Sequence, residues 1–221
     1  MTVIAIDGPA GSGKSTVARL LSVRLGYLYL DTGAMYRAAA LLALRDGVSL
    51  DDGPTLAALT RAAHIGFSPQ GDVVARDEDV SEDIRRPSVS AAVSEVSAHA
   101  EVRELLVAEQ RRGAAGRDVV IEGRDIGTVV FPDAAVKVFL TAASEVRAER
   151  RRKELVATGE HTSAAETLAA IQARDAYDSS RAVSPLRKAA DAVEIDTSAM
   201  TIDEVAEALQ ALVRDRLGSP A

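Results

Sequence analysis

Apolar positions along this chain follow two periods. Short runs of strand length sit at residues 3–7, 27–30, 119–122, 136–140 and 192–195. Between most of them lie longer stretches in which apolar residues recur every three to four positions, the spacing of a helix with one buried face. Residues 14–25 predict such a helix, with Leu20, Leu21 and Leu25 on its apolar face and Gly26 as its stop. A second helix is expected over 34–46, stopped by Gly47, and a third over 54–64 with Pro54 in its first turn.

The alternation breaks in the middle. Residues 65–68 and 73–75, joined by Pro69-Gln70-Gly71-Asp72, predict a small antiparallel hairpin, followed by helices over 87–97 and 101–113. Strand and helix then resume. A loop is expected at 123–127, and a very charged helix from Ser144 to near Gly159. Ser163 with Glu166, and Thr201 with Glu204, have the spacing of capping boxes, for helices running to about 178 and 217. The last four residues, 218–221, are expected to fray.

Strands joined by helices imply an α/β fold with a doubly wound parallel sheet and helices on both faces, and the middle block reads as an insertion. Ligands of such sheets bind at the carboxyl ends of the strands. Those ends are where the candidate chemistry lies.

The first strand runs into Gly8-Pro9-Ala10-Gly11-Ser12-Gly13-Lys14-Ser15-Thr16. This is the G-x-x-x-x-G-K-[ST] phosphate loop, in the strand–loop–helix context its mechanism needs. Its backbone N–H groups and the helix N-terminus converge on phosphate oxygens. Lys14 reaches the β- and γ-phosphates, and the Ser15 hydroxyl is a ligand for Mg²⁺. The motif predicts binding of a nucleoside triphosphate.

Asp31 ends the second strand, and Arg37 lies one turn into the next helix. Strand 119–122 exits through Glu122-Gly123-Arg124-Asp125-Ile126-Gly127, a loop that holds charges at the same edge. The plainer alternatives are a solvated Arg37 and an Arg124–Asp125 ion pair. In the charged helix, Arg147 and Arg151 share a face, and Glu145, Glu149 and Glu154 are available to neutralise them. Arg174, Asp178 and Arg181 also share a face, suited to closing over a ligand.

Bulk composition narrows the function classes. The 221 residues are 47% hydrophobic and 27% charged, within the range of a globular protein. A net charge of −7 argues against a nucleic-acid polymer as partner. There are no cysteines, so no disulfide is needed and a reducing cytoplasm is expected. The longest apolar stretch, residues 38–44, is too short for a membrane span, and no signal peptide precedes the first strand. His64, His99 and His161 lack metal-ligand spacing. Of the 26 basic residues 22 are arginine; part of that excess is compositional, and part suits planar recognition of phosphates.

Together these segments resemble the bacterial cytidylate kinases (CMP kinases), of the nucleoside monophosphate kinase family. The stretches that carry the resemblance are the phosphate loop, Asp31-Thr-Gly-Ala-Met-Tyr-Arg37, Asp79-Val-Ser81, Gly123-Arg-Asp-Ile-Gly-Thr-Val-Val-Phe-Pro-Asp133, Arg174-Asp175 and Arg181-Ala-Val-Ser-Pro-Leu186. It spans the whole chain. It implies a core at about 1–60, 114–145 and 185–221, an inserted monophosphate-binding subdomain at about 61–113, and a short lid at about 146–184. It implies phosphorylation of CMP and dCMP by ATP with Mg²⁺, in the cytoplasm, by a monomer acting on small molecules and on neither nucleic acid nor membrane. Carried over by position, Ser94, Arg103 and Asp125 would read cytosine. Arg37, Arg124 and Arg181 would hold the acceptor phosphate, and Arg174 and Asp178 would touch the sugar. Thr32 stands where some members have Ser, with the hydroxyl kept. Arginines of the charged helix would close on the ATP phosphates. Lys14, Arg124 and Arg181 are then the expected catalytic residues.

The base chemistry agrees. Cytosine offers an N4 amino donor for a carboxylate such as Asp125, and its N3 and O2 accept from Arg103. Uracil would mismatch at both places, and a site of buried polar contacts then discriminates strongly. Two rivals remain at this stage. One is another kinase of this fold acting on UMP, AMP, dTMP or shikimate. The other is a nucleotide-dependent switch without turnover, though dedicated switch loops are not evident.

Overall fold

The computed structural model describes residues 1–157 and 159–218. A five-stranded parallel sheet forms its centre, in the order β2-β6-β1-β7-β8, built from β1 (Val3–Asp7), β2 (Leu28–Asp31), β6 (Val119–Gly123), β7 (Val136–Thr141) and β8 (Val193–Asp196). β1 lies in the middle, buried on both faces. Ile4 and Ile6 point into a cluster with α1 (Lys14–Leu25) and α8 (Ile202–Leu217), through Val17, Leu21, Val205 and Leu209. Val3 and Ala5 point the other way, toward Leu30, Ile121 and Ile126. The period-two alternation therefore serves two cores rather than a core and solvent.

A third hydrophobic cluster belongs to the middle of the chain. It joins α2 (Thr32–Asp46), α3 (Gly53–Ala62), α4 (Pro87–Val96) and α5 (Ala100–Ala114). The run Ala38–Ala43 of α2 is buried throughout, which explains its unbroken apolar sequence. The core of the middle block thus reaches back to α2 and includes residues well before 61.

The inserted strands form a three-stranded antiparallel sheet, in which β3 (Gly66–Phe67) and β4 (Val73–Ala75) are joined by a further strand, β5 (Glu78–Asp79). The hairpin expectation missed β5. Its turn is Arg76-Asp77, both at positive φ (53° and 63°), with no glycine to mark it. The loop expected at 123–127 also differs. It passes into a π-helical turn over Ile126–Val130. Elsewhere ends shift by a few residues: α2 starts at Thr32 rather than 34, and α3 ends at Ala62 rather than 64. Gly26 and Gly47 close α1 and α2 in the left-handed conformation. Both capping boxes form, on α7 (Ala164–Ser180) and α8. The charged helix is α6 (Ser144–Ala157). The reading of the C-terminus as frayed falls, beyond Gly218, outside the described residues.

Candidate active site

The carboxyl ends of β1, β2 and β6 open into one cavity of about 470 Å³, closed on its far side by α4, α5, α6 and α7. Eight cationic and five acidic side chains line it, so this acidic chain gathers positive charge in one place. That is the field an anionic substrate needs.

On one side lies the phosphate loop. Gly8 (φ 151°) passes so close to β7 that a Cβ there would meet the Leu140 carbonyl oxygen at 2.0 Å. The loop is tied down through its own carbonyls. The Ala10 oxygen accepts from Arg147 Nη1 at 3.1 Å, and the Ser12 oxygen from Thr197 Oγ1 at 3.2 Å. In a trans peptide the N–H points opposite to the C=O, so the N–H groups of Gly11 and Gly13 face away from those ties. Gly11, Gly13, Lys14, Ser15 and Thr16 line the cavity. Lys14 is buried and donates to the Pro9 oxygen at 2.7 Å. Burial, then the Arg124 guanidinium, holds it below the ordinary lysine range. Glu122, buried at the end of β6, is held above the ordinary carboxylate range by burial and then by Asp31, and it accepts from Tyr29 Oη at 2.5 Å.

On the other side lie arginine–carboxylate pairs. Asp31 caps α2, accepting from the Ala34 N–H at 3.0 Å, and binds Arg37 Nη2 at 2.6 Å. Arg103 of α5 and Asp125 form a buried ion pair, and the Arg103 guanidinium lies 5.2 Å from the Tyr36 ring centre. Asp178 of α7 is a hub. It accepts from Arg124 Nε at 3.1 Å, with Arg174 at 3.9 Å and Arg181 at 4.0 Å. Burial, then Arg124, lowers Arg174 to about 10, still a cation at neutral pH. Arg124 and Asp125, adjacent in sequence, thus pair with distant partners and not with each other.

The loop between these halves is anchored by Asp7. Its Oδ1 accepts from the Ile126 N–H at 2.8 Å and its Oδ2 from the Gly127 N–H at 2.7 Å. Burial raises its carboxyl to about 6 against the pull of those two bonds.

Of the residues singled out from sequence, Lys14, Ser15, Thr32, Arg37, Arg103, Arg124, Asp125, Arg174, Asp178 and Arg181 meet at this cavity. The Thr32 hydroxyl donates to the Glu122 carbonyl at 2.7 Å. Gly8, Pro9 and Ser12 shape the loop from behind, and Ser94 lies off the cavity wall. Ser97, one turn on, lines it and accepts from Arg181 Nη1 at 3.3 Å. Sequence reasoning assigned no role to Asp7, Tyr36, Ser97 or Glu122. Asp7 and Glu122 had one available signal: an acid at the end of a buried apolar strand. Of the arginines of the charged helix, Arg147 is buried behind the loop, whereas Arg150 and Arg151 line the cavity.

Comparison with known proteins agrees with this geometry. The family model "Cytidylate kinase" matches residues 4–215. A cytidylate kinase of Rhodococcus jostii is 54% identical, covering 98% of this chain and 96% of its own length. One of Nocardia farcinica is 52% identical, with 98% and 95% covered. One of Geobacter sp. is 48% identical, with 97% and 94% covered. Among solved structures, a shikimate kinase of Bacteroides thetaiotaomicron superposes with a TM-score of 0.51 at 14% identity, over 96% of this chain and 98% of that one. At that identity the likeness is one of fold.

Proposed function

The chain belongs to the cytidylate kinase family, and we propose that its cavity carries out in-line transfer of the γ-phosphoryl group of ATP to the phosphate of CMP or dCMP. The enzyme is an ATP-dependent kinase of CMP. In the transfer, the bond between the γ-phosphorus and the bridging oxygen of ATP breaks, and one forms to an oxygen of the acceptor phosphate. ADP and CDP (or dCDP) are the products.

The observation that carries the residue assignments is the composition of the two walls. A phosphate loop with Lys14 faces an arginine cluster whose charges are only partly balanced by carboxylates. The loop amides and Lys14 bind the β- and γ-phosphates of ATP. Arg37, Arg124 and Arg181 take the acceptor phosphate, exchanging the carboxylates Asp31 and Asp178 for phosphate oxygens. Arg174 and Asp178 hold the sugar. Asp125 accepts from the cytosine N4 amino group, Arg103 donates to the N3–O2 edge, and Ser94 or its neighbour Ser97 completes the base site. No general base is required, because positioning and charge stabilisation supply most of the rate. Arg124, Arg181 and Lys14 surround the transferred group and act in the transition state.

The residues fit a Mg²⁺ ion that arrives with ATP. The Ser15 hydroxyl is exposed at the start of α1 beside the Glu122 carboxylate, two hard oxygen donors, and no set of three metal-binding side chains occurs among the described residues. Such a pair suits an ion that takes its remaining ligands from phosphate and water. When bound, that ion neutralises charge on the β- and γ-phosphates.

On this reading residues 61–113 form the monophosphate-binding insertion and 146–184 a lid, on a core of 1–60, 114–145 and 185–221. The reading is of a monomer acting on small molecules. No helix among the described residues is long and apolar enough to cross a membrane.

A coupled assay of ADP release tests the proposal with CMP, dCMP, UMP, AMP, dTMP and shikimate as acceptors. CMP and dCMP should lead the others by about two orders of magnitude in kcat/KM. A different preferred acceptor, or release no faster than without acceptor, would refute it.

A further inference from the structure

We propose that Arg147 and Asp175 form a clasp that registers α7 against the phosphate loop, coupling the ATP side of the cavity to the CMP side. The inference rests on the kinase reading of the cavity.

Arg147 carries five N–H donors in a rigid fork. Four are already engaged by protein. Nε donates to the Ala142 oxygen at the end of β7, at 2.8 Å. Nη1 donates to the Ala10 oxygen of the phosphate loop at 3.1 Å and to Asp175 Oδ1 at 3.0 Å. Nη2 donates to Asp175 Oδ2 at 2.5 Å. The two bonds to Asp175 are the parallel, bidentate arrangement that fixes orientation as well as distance. The Arg147 side chain is 6% exposed, so it is a buried strut and not a free finger.

What the strut joins gives it consequence. Ala10 belongs to the loop that cradles the triphosphate. Asp175 follows Arg174 and precedes Asp178 by less than one turn of α7, and both of those face the cavity. α7 also packs closely along α6, and α6 in turn lies against the loop: a Cβ on Gly11 would lie 3.1 Å from both the Cβ and the carbonyl oxygen of Arg147. The loop that receives ATP is therefore tied through one guanidinium to the helix that holds Arg174 and Asp178. Lysine cannot replace this fork, because its three donors radiate from one atom.

The test compares wild type with Arg147→Lys, Asp175→Asn and the double variant. CMP affinity is measured by calorimetry with and without a non-hydrolysable ATP analogue, alongside kcat. Each variant should bind CMP alone within about twofold of wild type, because Arg103, Asp125 and Arg124 are untouched. Each should lose tenfold or more in kcat, and the analogue should no longer change CMP affinity. The double variant should lose no more than the worse single one, as expected of groups that act as a unit. Asp175, 25% exposed in its side chain, is the substitution that keeps the fold if Arg147→Lys does not. Two results would overturn the clasp. One is kcat and coupling within twofold of wild type in Asp175→Asn. The other is weakened binding of the analogue alone in Arg147→Lys but not in Asp175→Asn, which would make Arg147 a direct ligand of ATP. Wild-type turnover of CMP tests the kinase reading separately, since all these effects are ratios to it.

Discussion

The two walls of the cavity are made in different ways. The phosphate loop is nine consecutive residues, shaped by glycines and tied down through carbonyls by Arg147 and Thr197. Its binding groups are backbone amides, whose direction follows from the chain path. The opposite wall has no such continuity. It is assembled from α2, α5, α7 and the loop after β6, and its binding groups are long side chains. There, carboxylates hold the cations: Asp31 holds the part-buried Arg37, Asp125 the buried Arg103, and Asp178 the part-buried Arg124. An uncompensated buried cation costs several kcal/mol, so the carboxylates stabilise the free protein, and on the proposed reading a phosphate replaces them. On the proposed reading one wall is preformed, and the other is an ion-pair network awaiting exchange.

The sharpest break in this contrast is Lys14→Ala. It removes the one side-chain charge of the loop, and kcat should fall by about two to three orders of magnitude with the circular dichroism spectrum unchanged. Retention of more than about a tenth of wild-type kcat would show that the loop works without it.

Asp178→Asn probes the opposite wall. Three arginines lose their shared counter-charge, and unfolding free energy should drop by about 2 kcal/mol, since Asn keeps an acceptor but no charge. Inorganic phosphate should restore part of that loss by binding the freed arginines, and should stabilise the variant more than wild type in thermal melts. Equal stabilisation of both proteins would mean Asp178 does not compete with phosphate.

A smaller effect is expected from Gly11→Ala. The residue sits at φ 73° and faces Arg147 at 3.1 Å, so the substitution should cost about 1 kcal/mol in urea unfolding. The smallest effect is protonic. Lys14 is pushed down to about 7 in the free cavity, so at pH about 8.5 it is mostly deprotonated. Phosphate oxygens favour its charged form, so binding an ATP analogue should take up close to one proton. Calorimetry in two buffers of different ionisation enthalpy reads this, and Lys14→Met should abolish it.

The same contrast explains what could be read from sequence. The phosphate loop was legible because its chemistry is local: spacing, glycines, and a strand before a helix. Gly26, Gly47 and both capping boxes were legible for the same reason. Across the cavity, Arg124 and Asp125 could be named, but their partners could not. Arg103 lies 22 residues away and Asp178 lies 54, and only the tertiary fold joins them. Arg147 shows the same limit. Periodicity placed it on a helix face with Arg151, yet whether that face meets phosphate or the back of a loop depends on how α6 docks. The strand β5 escaped notice because two ordinary residues, Arg76 and Asp77, adopt the left-handed turn that a glycine would have announced.

The account turns on the claim that the buried Arg103–Asp125 pair reads the base of the acceptor. The most direct test is kcat/KM for CMP and for UMP, in wild type and in Asp125→Asn, which keeps the volume of the buried side chain. The account predicts a loss of at least about 2 kcal/mol for CMP, a much smaller loss for UMP, and hence a collapse of the CMP preference. Equal losses for the two nucleotides would contradict it, and would make Asp125 a support for its loop rather than a reader of cytosine.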